Sequence, residues 1–387
     1  MHPLWIPEWK RSKNSSIASH YTVSGVMYMR KLVAGVAAAL LAVILAFPCY
    51  GISAEKAVVL DAQTGRVLYS KDQDSRSLIA STTKIMTALV ICEQCNVLDR
   101  MRIPKEAVGI EGSSMYLKEG EVLTIQELLY GLMLQSGNDA AVALAIYCGG
   151  TVEGFAELMN DKAYQLGLKN THFVNPHGLD APDHYSTAAD LALLAAYAMN
   201  NPIFAITVSA KSVKVGQRVL SNHNKLLWQY EGADGVKTGY TKKAGRILVS
   251  SATRTGRRLT AVTINAPDDW NDHKHLLDNG FANYKLETIV SKGEVLGYVE
   301  VAGGTSGYTE LLAAEDFQYP LSGSEHPELI FPEPGFVYAP VVGGTSAGNV
   351  YICADGAVLG ICPVVYGQTV EQAPQVRKTL WQKLFGR

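Results

Sequence analysis

The chain reads Ala80-Ser81-Thr82-Thr83-Lys84-Ile85-Met86-Thr87-Ala88-Leu89 about a fifth of the way along its length. Apolar residues recur at helical spacing from Ile85 onward, which predicts a helix from Ser81 to about Cys92. Residues three apart share a helix face, so the amine of Lys84 should lie beside the Ser81 hydroxyl. The partial positive charge of a helix N-terminus disfavours an ammonium and favours an oxyanion there. The stretch therefore predicts an activated serine nucleophile.

Two further short motifs follow in order, Ser136-Gly137-Asn138 and Lys237-Thr238-Gly239. A free lysine, with a pKa of about 10.4, is a poor base at neutral pH. Burial and a second cation would lower that pKa, and Lys237 is a candidate for the second cation. Ser136 can relay a proton, Asn138 can hydrogen-bond an amide, and Gly239 leaves room for a substrate. Each motif alone arises by chance, but the three in this order and context are specific for serine acyl transfer.

Length, composition and net charge restrict the number of domains and the possible classes of function. A length of 387 residues predicts two domains, and a hydrophobic content of 48% is enough for a buried core. A net charge of -2 gives no general attraction to nucleic acid, so no nucleic-acid partner is expected. Six Cys in this length exclude a disulfide scaffold. We interpret Cys92 and Cys95, spaced C-x-x-C, as packing residues, because neither a redox context nor a second ligand pair accompanies them.

The N-terminal segment has the pattern of an export signal. Residues 32–54 carry no charge, follow Arg30-Lys31 and end in Ile52-Ser53-Ala54. This pattern favours a signal peptide cleaved after Ala54, although the length also allows a membrane-spanning helix. A start at Met29 would give a shorter signal, in which Arg30-Lys31 and the apolar run follow the first residue directly. We therefore expect an exported protein, either secreted or at the extracytoplasmic face of the cell membrane.

Hydrophobic periodicity predicts a mixed order of elements over the rest of the chain. Thr124 and Glu127 form a capping box ahead of a second helix. Further helices are predicted at residues 140–147, 155–166, 188–198 and 273–284, and strands at 58–60, 67–69, 213–215, 219–220, 247–251 and 259–264. After about Lys285 short β-rich runs alternate with turns. Asp355-Gly356 would turn a hairpin in which Cys353 faces Val358 and Asn349 faces Cys362.

The motifs and several longer blocks resemble the serine D-alanyl-D-alanine carboxypeptidases, the low-molecular-mass penicillin-binding proteins. The blocks are Leu60–Gly65, Ala80–Leu89, Gly112–Leu117, Asn175–Leu179, His184–Thr187 and Ala233–Thr241. The resemblance covers about Ala57 to Tyr284. Ser77-Leu78-Ile79 departs from the family, where a Pro-containing run is commoner, and this affects only the entry to the helix.

The resemblance implies an α/β (α+β) fold of the penicillin-binding and β-lactamase-like transpeptidase type. An antiparallel sheet would be flanked by helices with a helical subdomain, followed by a small C-terminal all-β domain. The expected divisions are residues 1–54 as extension and signal, 55–285 as catalytic domain, 286–370 as β-rich domain and 371–387 as tail.

The resemblance also implies residue roles in removing the terminal D-Ala from a peptidoglycan pentapeptide. The implied catalytic residues are Ser81, Lys84 and Ser136, and the implied substrate-binding residues are Asn138, Lys237, Thr238, Gly239 and Tyr240. The N–H groups of Ser81 and Tyr240 would form the oxyanion hole. β-Lactams would acylate Ser81 as inhibitors, and no cofactor or metal is implied.

Three other readings compete. A class A-like β-lactamase would need a deacylating glutamate, which Glu157-Leu158-Met159-Asn160 matches only superficially. Gly344-Thr345-Ser346-Ala347-Gly348 matches a hydrolase nucleophile elbow, but strand-like residues follow it and no His does, so a turn is predicted. A non-catalytic cell-wall binding protein would not be expected to keep every motif residue.

Histidines and the basic tail complete the candidate features. We interpret His177 and His184 as structural, and His273 and His275, two apart on a helix, as unable to share a metal ion. Residues 376–387 form a short basic amphipathic pattern with four cations and no acid. This predicts a weak contact with a membrane surface, unless the tail frays or docks on its own domain.

Overall fold

The computed structural model describes residues 51–332 and 335–374. The basic amphipathic tail, and most of the predicted signal segment, lie outside the described residues.

The strands of the described residues are numbered in chain order. They are β1 (Lys56–Asp61), β2 (Val67–Lys71), β3 (Arg100–Arg102), β4 (Val122–Thr124), β5 (Ser212–Val215), β6 (Arg218–Ser221), β7 (Ala233–Thr241), β8 (Gly245–Arg254), β9 (Arg257–Ile264), β10 (Tyr284–Val290), β11 (Val295–Ala302), β12 (Tyr308–Ala313), β13 (Phe317–Ser322), β14 (Glu328–Ile330), β15 (Phe336–Tyr338), β16 (Ser346–Ala354) and β17 (Ala357–Tyr366).

The α-helices are numbered in the same way. They are α1 (Lys84–Gln94), α2 (Ile125–Leu134), α3 (Asn138–Gly149), α4 (Val152–Gln165), α5 (Ala188–Ala198), α6 (Pro202–Ser209), α7 (Leu226–Gln229) and α8 (Asp269–Asn283). Two single 3-10 turns, Ala80–Thr83 and Lys105–Ala107, precede α1 and β4.

Five antiparallel strands form the sheet that carries the K-T-G motif, in the order β2-β1-β9-β8-β7. β7 lies at one edge and pairs with β8 from Ala233 opposite Ala252 to Thr241 opposite Gly245. An edge strand leaves one row of backbone groups free to pair with an extended ligand. The sheet therefore presents Lys237, Thr238 and Gly239 along such an edge.

Helix α1 is the centre of the larger core. Every residue from Lys84 to Cys92 is buried, and apolar residues of α2 to α6 share its hydrophobic cluster. A helix that is buried all round has to be enclosed by neighbours rather than lie on a surface. The enclosure places Lys84 inside this core.

Most predicted elements are present, with longer bounds. The predicted capping box of α2 is confirmed, because Glu127 N–H donates to Thr124 Oγ1 at 3.1 Å and Thr124 N–H donates to Glu127 Oε2 at 2.8 Å. Helix α5 has the predicted bounds. Helix α6 was not predicted, although its signals are present: Asn201 caps it and Pro202 opens it.

The residues after β9 and α8 form the predicted all-β part. β10 pairs with β13, and a six-stranded sheet runs β14-β16-β17-β12-β11-β15. Ser346 would be the nucleophile in the competing elbow reading. It begins strand β16 and no helix follows it, so the predicted turn is confirmed.

The hairpin of β16 and β17 corrects one pairing. Ala354 lies opposite Ala357 and Cys353 opposite Val358, as predicted. Cys362 lies opposite Val350 and not Asn349, because the register shifts between Ile352 and Cys353. A bulge of this kind adds one residue to one strand and leaves no periodic signal.

A buried ion pair ties the sheet to the start of the β-rich part. Arg257 Nε donates to Asp61 Oδ2 at 2.7 Å, with side-chain exposures of 7% and 0%. Asp61 Oδ1 also accepts from the N–H groups of Gln63 and Thr64. Arg257 donates to the carbonyl of Tyr284 as well. The Asp61 carboxylate therefore holds the β1–β2 turn in place, and it also holds the Arg257 side chain that reaches β10.

No single helix in the described ranges is long and apolar enough to cross a membrane. Two bent helix pairs, α3 with α4 and α5 with α6, reach the required length and composition together.

Replacing Asp61 with Asn should lower the free energy of unfolding by about 3 kcal/mol, because the Arg257 guanidinium would stay buried without its counter-charge. Chemical denaturation of the full chain measures the change. The matched control is Asp74→Asn, at an exposed position, which should change the value by less than about 0.5 kcal/mol. Equal effects of the two substitutions would contradict the role given to the buried pair.

Candidate active site

Ser81 lies in the 3-10 turn that enters α1 and lines a cavity of about 360 Å³. Four other predicted site residues line the same cavity: Ser136, Thr238, Gly239 and Tyr240. Seven more residues complete its wall: Ser113, His223, Lys225, Arg246, Ile247, Asp269 and Trp270. The three motifs, spread over more than 150 residues of sequence, therefore meet at one opening.

The entry turn is packed against a glycine that sequence reasoning did not single out. Ala80 has a positive φ of 45° and Gly178 a φ of 87°. A Cβ on Gly178 would lie 1.8 Å from the Ala80 carbonyl oxygen. A side chain at this position would therefore push the turn that carries Ser81 out of place.

The Lys84 amine is held by three oxygens. Its Nζ lies 3.0 Å from Ser81 Oγ, 2.7 Å from Asn138 Oδ1 and 2.6 Å from the His177 carbonyl oxygen. The side chain is fully buried. Burial lowers the pKa of Lys84 well below the ordinary 10.5, the charge of Lys237 lowers it further, and Asp139 opposes the shift. The neighbouring cation predicted from sequence is thus present.

The second lysine is buried as well. Lys237 is 1% exposed, and its Nζ donates to the Thr238 carbonyl at 3.0 Å. Burial lowers its pKa from 10.5 to about 7. Near neutral pH the charged and neutral forms of this amine are therefore both populated. An anion that binds beside it would favour the charged form.

The S-x-N motif forms the corner between α2 and α3. Ser136 adopts a φ of 59°, and Asn138 is the first residue of α3. Asn138 N–H donates to the Ser113 carbonyl at 2.7 Å, and its Nδ2 donates to the Glu111 carbonyl at 2.5 Å. The side-chain amide therefore fixes both Lys84 and the segment before Ser113.

Asp139, beside that motif, was missed by sequence reasoning. Its carboxylate accepts from the N–H groups of Met115 and Leu117, each at 3.0 Å, and from Ser114 Oγ at 2.6 Å. A carboxylate bonded to several N–H groups orders a loop strongly. The start of α3 therefore holds one rim of the cavity.

Gly239 has a structural reason in addition to the expected room for a substrate. A Cβ there would lie 3.2 Å from the Ile79 carbonyl oxygen and 3.3 Å from Ser81 N. The missing side chain therefore lets strand β7 approach the nucleophile turn closely.

The two loop histidines lie next to the site but off its wall. His184 Nε2 is 2.8 Å from Thr83 Oγ1, and the His177 carbonyl accepts from Lys84. Burial, and then the neighbouring charges, lower the pKa of each to about 4, so both rings are neutral at pH 7. The structural interpretation is supported, with one addition: the His177 backbone acts directly on Lys84.

Three charged and aromatic residues of the cavity wall were also missed: Arg246, Asp269 and Trp270. Arg246 on β8 forms an ion pair with Asp269 on α8 at 2.7 Å, and its guanidinium lies 5.9 Å from the Trp270 ring. Burial raises the pKa of Asp269 despite that partner. Charge and an aromatic face therefore flank the cavity on this side.

The residues behind two competing readings lie elsewhere. Glu157 is exposed on α4 and is not part of the cavity wall. His273 is buried, with Nδ1 2.6 Å from Ser250 Oγ and Nε2 2.9 Å from Thr263 Oγ1. Within the described ranges no group of three His, Cys, Asp or Glu side chains is arranged to hold a metal ion.

Comparison with known proteins agrees with the motifs. Residues 45–268 match the D-alanyl-D-alanine carboxypeptidase family, and residues 284–372 match the C-terminal domain of penicillin-binding protein 5. The chain is 33% identical over 336 residues to D-alanyl-D-alanine carboxypeptidase DacF of Bacillus subtilis, covering 83% of this chain and 86% of that one.

Solved structures give the same result. Penicillin-binding protein 5 from Haemophilus influenzae superposes with a TM-score of 0.72 at 30% identity, over 83% of this chain and 98% of that one. The Streptomyces K15 DD-transpeptidase superposes with a TM-score of 0.58 at 36% identity, over 60% of this chain and 98% of its own. The chain is therefore an enzyme of the D-alanyl-D-alanine carboxypeptidase family.

Proposed function

We propose that the protein removes the terminal D-alanine from peptidoglycan pentapeptides through an acyl-enzyme on Ser81. One observation carries the proposal: a fully buried lysine amine with a lowered pKa lies 3.0 Å from a serine hydroxyl that lines an open cavity. The names of the relatives support D-Ala-D-Ala as the substrate.

In the acylation step the neutral Lys84 amine accepts the proton of Ser81 Oγ. Oγ then attacks the carbonyl carbon between the two D-Ala residues. The backbone N–H groups of Ser81 and Tyr240 donate to the oxyanion that forms. Ser136, on the same cavity wall, passes its proton to the amine of the departing D-Ala and takes a proton from the Lys84 ammonium, which returns Lys84 to its neutral form. The carbonyl–nitrogen bond breaks as the ester bond to Ser81 is completed.

Lys237 and Thr238 hold the free carboxylate of the substrate. Two ammonium groups buried close together are unfavourable, and the repulsion lowers the pKa of Lys84. A bound carboxylate stabilises the charge on Lys237, which leaves Lys84 as the neutral partner of the pair. Substrate binding therefore prepares the base for its task.

Asn138 positions Lys84 and also orients the acyl peptide. Its Oδ1 accepts from Lys84 and its Nδ2 donates to Glu111, while the amide keeps a second N–H to offer. Gly239 permits the strand edge of β7 to lie close to Ser81, so that a substrate can pair along it.

Water then hydrolyses the acyl-enzyme with Lys84 again as base. β-Lactams present a similar carboxylate and strained amide and acylate the same serine. Rapid β-lactam turnover would need a deacylating glutamate, and Glu157 is exposed on α4 away from the cavity wall. The carboxypeptidase therefore remains the favoured reading.

The substrate lies outside the cytoplasmic membrane, so the protein acts there. An N-terminal signal ending near Ala54 supplies the export, and residues 371–387 supply a weak membrane contact. Residues 55–285 serve as the catalytic domain and 286–370 as a β-rich domain that carries this tail.

Replacing Ser81 with Ala should abolish D-Ala release from a pentapeptide and labelling by fluorescent penicillin, because both need the same Oγ. The matched control is Ser70→Ala, at an exposed position of β2, which should keep both activities. Penicillin labelling retained in Ser81→Ala would refute the assigned nucleophile.

The rate of Ser81 acylation by a β-lactam should fall as the pH drops through the pKa of Lys84, because a protonated amine accepts no proton. Replacing Lys237 with Gln removes the repelling cation, raises the pKa of Lys84 and so moves this acid limb to higher pH. Second-order rate constants measured across pH locate the limb.

The control for the pH experiment is Lys225→Gln, which removes an exposed lysine from the cavity wall. Its acid limb should stay in place, since Lys225 does not contribute to the pKa of Lys84. An unmoved limb in Lys237→Gln would contradict the coupling between the two buried lysines.

Deleting residues 371–387 should release the protein from the membrane fraction while penicillin labelling persists. Cell fractionation followed by labelling measures both properties. A truncated chain that stays in the membrane fraction would show that another segment holds it there.

A further inference from the structure

Helices α1 and α3 bring thiols together at the ends opposite the site. α1 begins with Lys84 and α3 with Asn138, and these two side chains are hydrogen-bonded to each other. Cys95 follows the last residue of α1, and Cys148 lies in the last turn of α3. The two helices therefore start and finish side by side.

The cysteines at this end are in contact. Cys148 Sγ donates to the side chain of Gln94, the residue before Cys95, at 3.7 Å, and the Cys95 and Cys148 thiols are close enough to shift each other's pKa. A second contact joins the same two segments, since Tyr147 Oη donates to Asp99 Oδ2 at 2.9 Å. The segments that carry Cys95 and Cys148 are therefore in side-chain contact at the C-terminal ends of the two helices.

The third cysteine nearby differs in its surroundings. Cys92, one turn before Cys95, is buried, whereas Cys95 and Cys148 are both partly exposed. Burial raises the pKa of Cys92 to about 12. Because its burial also keeps an external disulfide away from the sulfur, Cys92 is the inert member of the three.

We propose that Cys95 and Cys148 form an intramolecular disulfide that ties the C-terminal end of α1 to that of α3. The bond would hold the distal ends of the two helices whose first residues place the base and the S-x-N asparagine. All five cysteines of the described residues are thiols in this structure, so the proposal concerns the oxidised form of the protein.

Formation of the bond needs an oxidant, and a disulfide of an exported thiol oxidoreductase or of a small thiol supplies it. The Cys148 thiolate attacks one sulfur of that disulfide and releases a thiol. The Cys95 thiolate then attacks the Cys148 sulfur of the mixed disulfide and releases the second thiol. Two protein thiols are oxidised, and one external disulfide is reduced to two thiols.

Cys148 is suited to the first step. The hydrogen bond from the Cys95 thiol stabilises the Cys148 thiolate and lowers the pKa of Cys148. The same hydrogen bond raises the pKa of Cys95 and keeps it protonated until its partner has reacted. The pair therefore has a distinct attacking thiol and resolving thiol.

The test uses the full chain, purified in the reduced form and incubated in a buffer of oxidised and reduced glutathione. Remaining thiols are alkylated, and the protein is digested with trypsin without reduction. The expected product is a single species that joins peptide 85–100, with Cys95, to peptide 119–162, with Cys148. Its mass is lower than the sum of the two peptides by two hydrogen atoms.

Single substitutions identify the partners. Cys92→Ser should keep the joined species, and Cys95→Ser and Cys148→Ser should each lose it. The proposal is overturned if Cys95 and Cys148 are recovered alkylated or glutathionylated, or if the bond lies within peptide 85–100.

A stability measurement provides the second readout. Reduction of the oxidised wild-type protein should lower its Tm by roughly 5 °C, because the bond closes a long loop in the unfolded chain. The same treatment should leave the Tm of Cys148→Ser unchanged. Equal responses of the two proteins would overturn the stapling role.

Discussion

The active site depends on one energetically unfavourable feature, the complete burial of the Lys84 amine beside Ser81. An ammonium without partners in a protein interior costs several kcal/mol, so the group either shifts its pKa or finds hydrogen bonds. Lys84 does both: three oxygens lie within 3.0 Å of its Nζ, and its pKa is lowered. Each of those oxygens has to be supplied by a different part of the chain.

The surrounding fold is the set of constraints that brings those oxygens together. Asn138 comes from the start of α3, and the His177 carbonyl comes from a loop that Gly178 allows to pack under Ala80. Gly239 then lets the sheet edge approach the turn of Ser81. Glycine is needed at both positions, because at each of them two backbone segments pack closely beside the Lys84 amine. The strand edge and the base are thereby set at a fixed separation.

Sequence reasoning succeeded where the chemistry is local. The S-x-x-K spacing brings Lys84 Nζ within 3.0 Å of Ser81 Oγ, although Ser81 lies in the 3-10 turn before α1 and not in the predicted helix itself. The capping box of Thr124 and Glu127 is complete within four residues. The order of three short motifs, together with six longer blocks around them, was enough to identify the family.

What sequence reasoning missed depends on contacts between distant residues or on backbone atoms. The His177 carbonyl has no side-chain signature, and the Arg246–Asp269 pair joins β8 to α8 on the wall of the cavity. Cys95 and Cys148 have no shared periodicity, and the C-x-x-C spacing drew attention to Cys92 as the neighbour of Cys95 instead. The displaced pairing of Cys362 follows from a bulge that no alternation pattern reveals. Each miss concerns a long-range or irregular feature for which a single sequence carries little signal.

The β-rich part is attached to the catalytic part by contacts that avoid the cavity. Arg66, in the β1–β2 hairpin, pairs with Glu325 and lies over the rings of Tyr284 and Tyr319 at 5.0 and 5.2 Å. In the described residues the cavity wall lies between Ser81 and Trp270, before the first strand of the β-rich part. These contacts therefore involve the β1–β2 edge of the sheet and Arg257 on β9, whereas β7, the strand that carries Lys237, lies at the other edge.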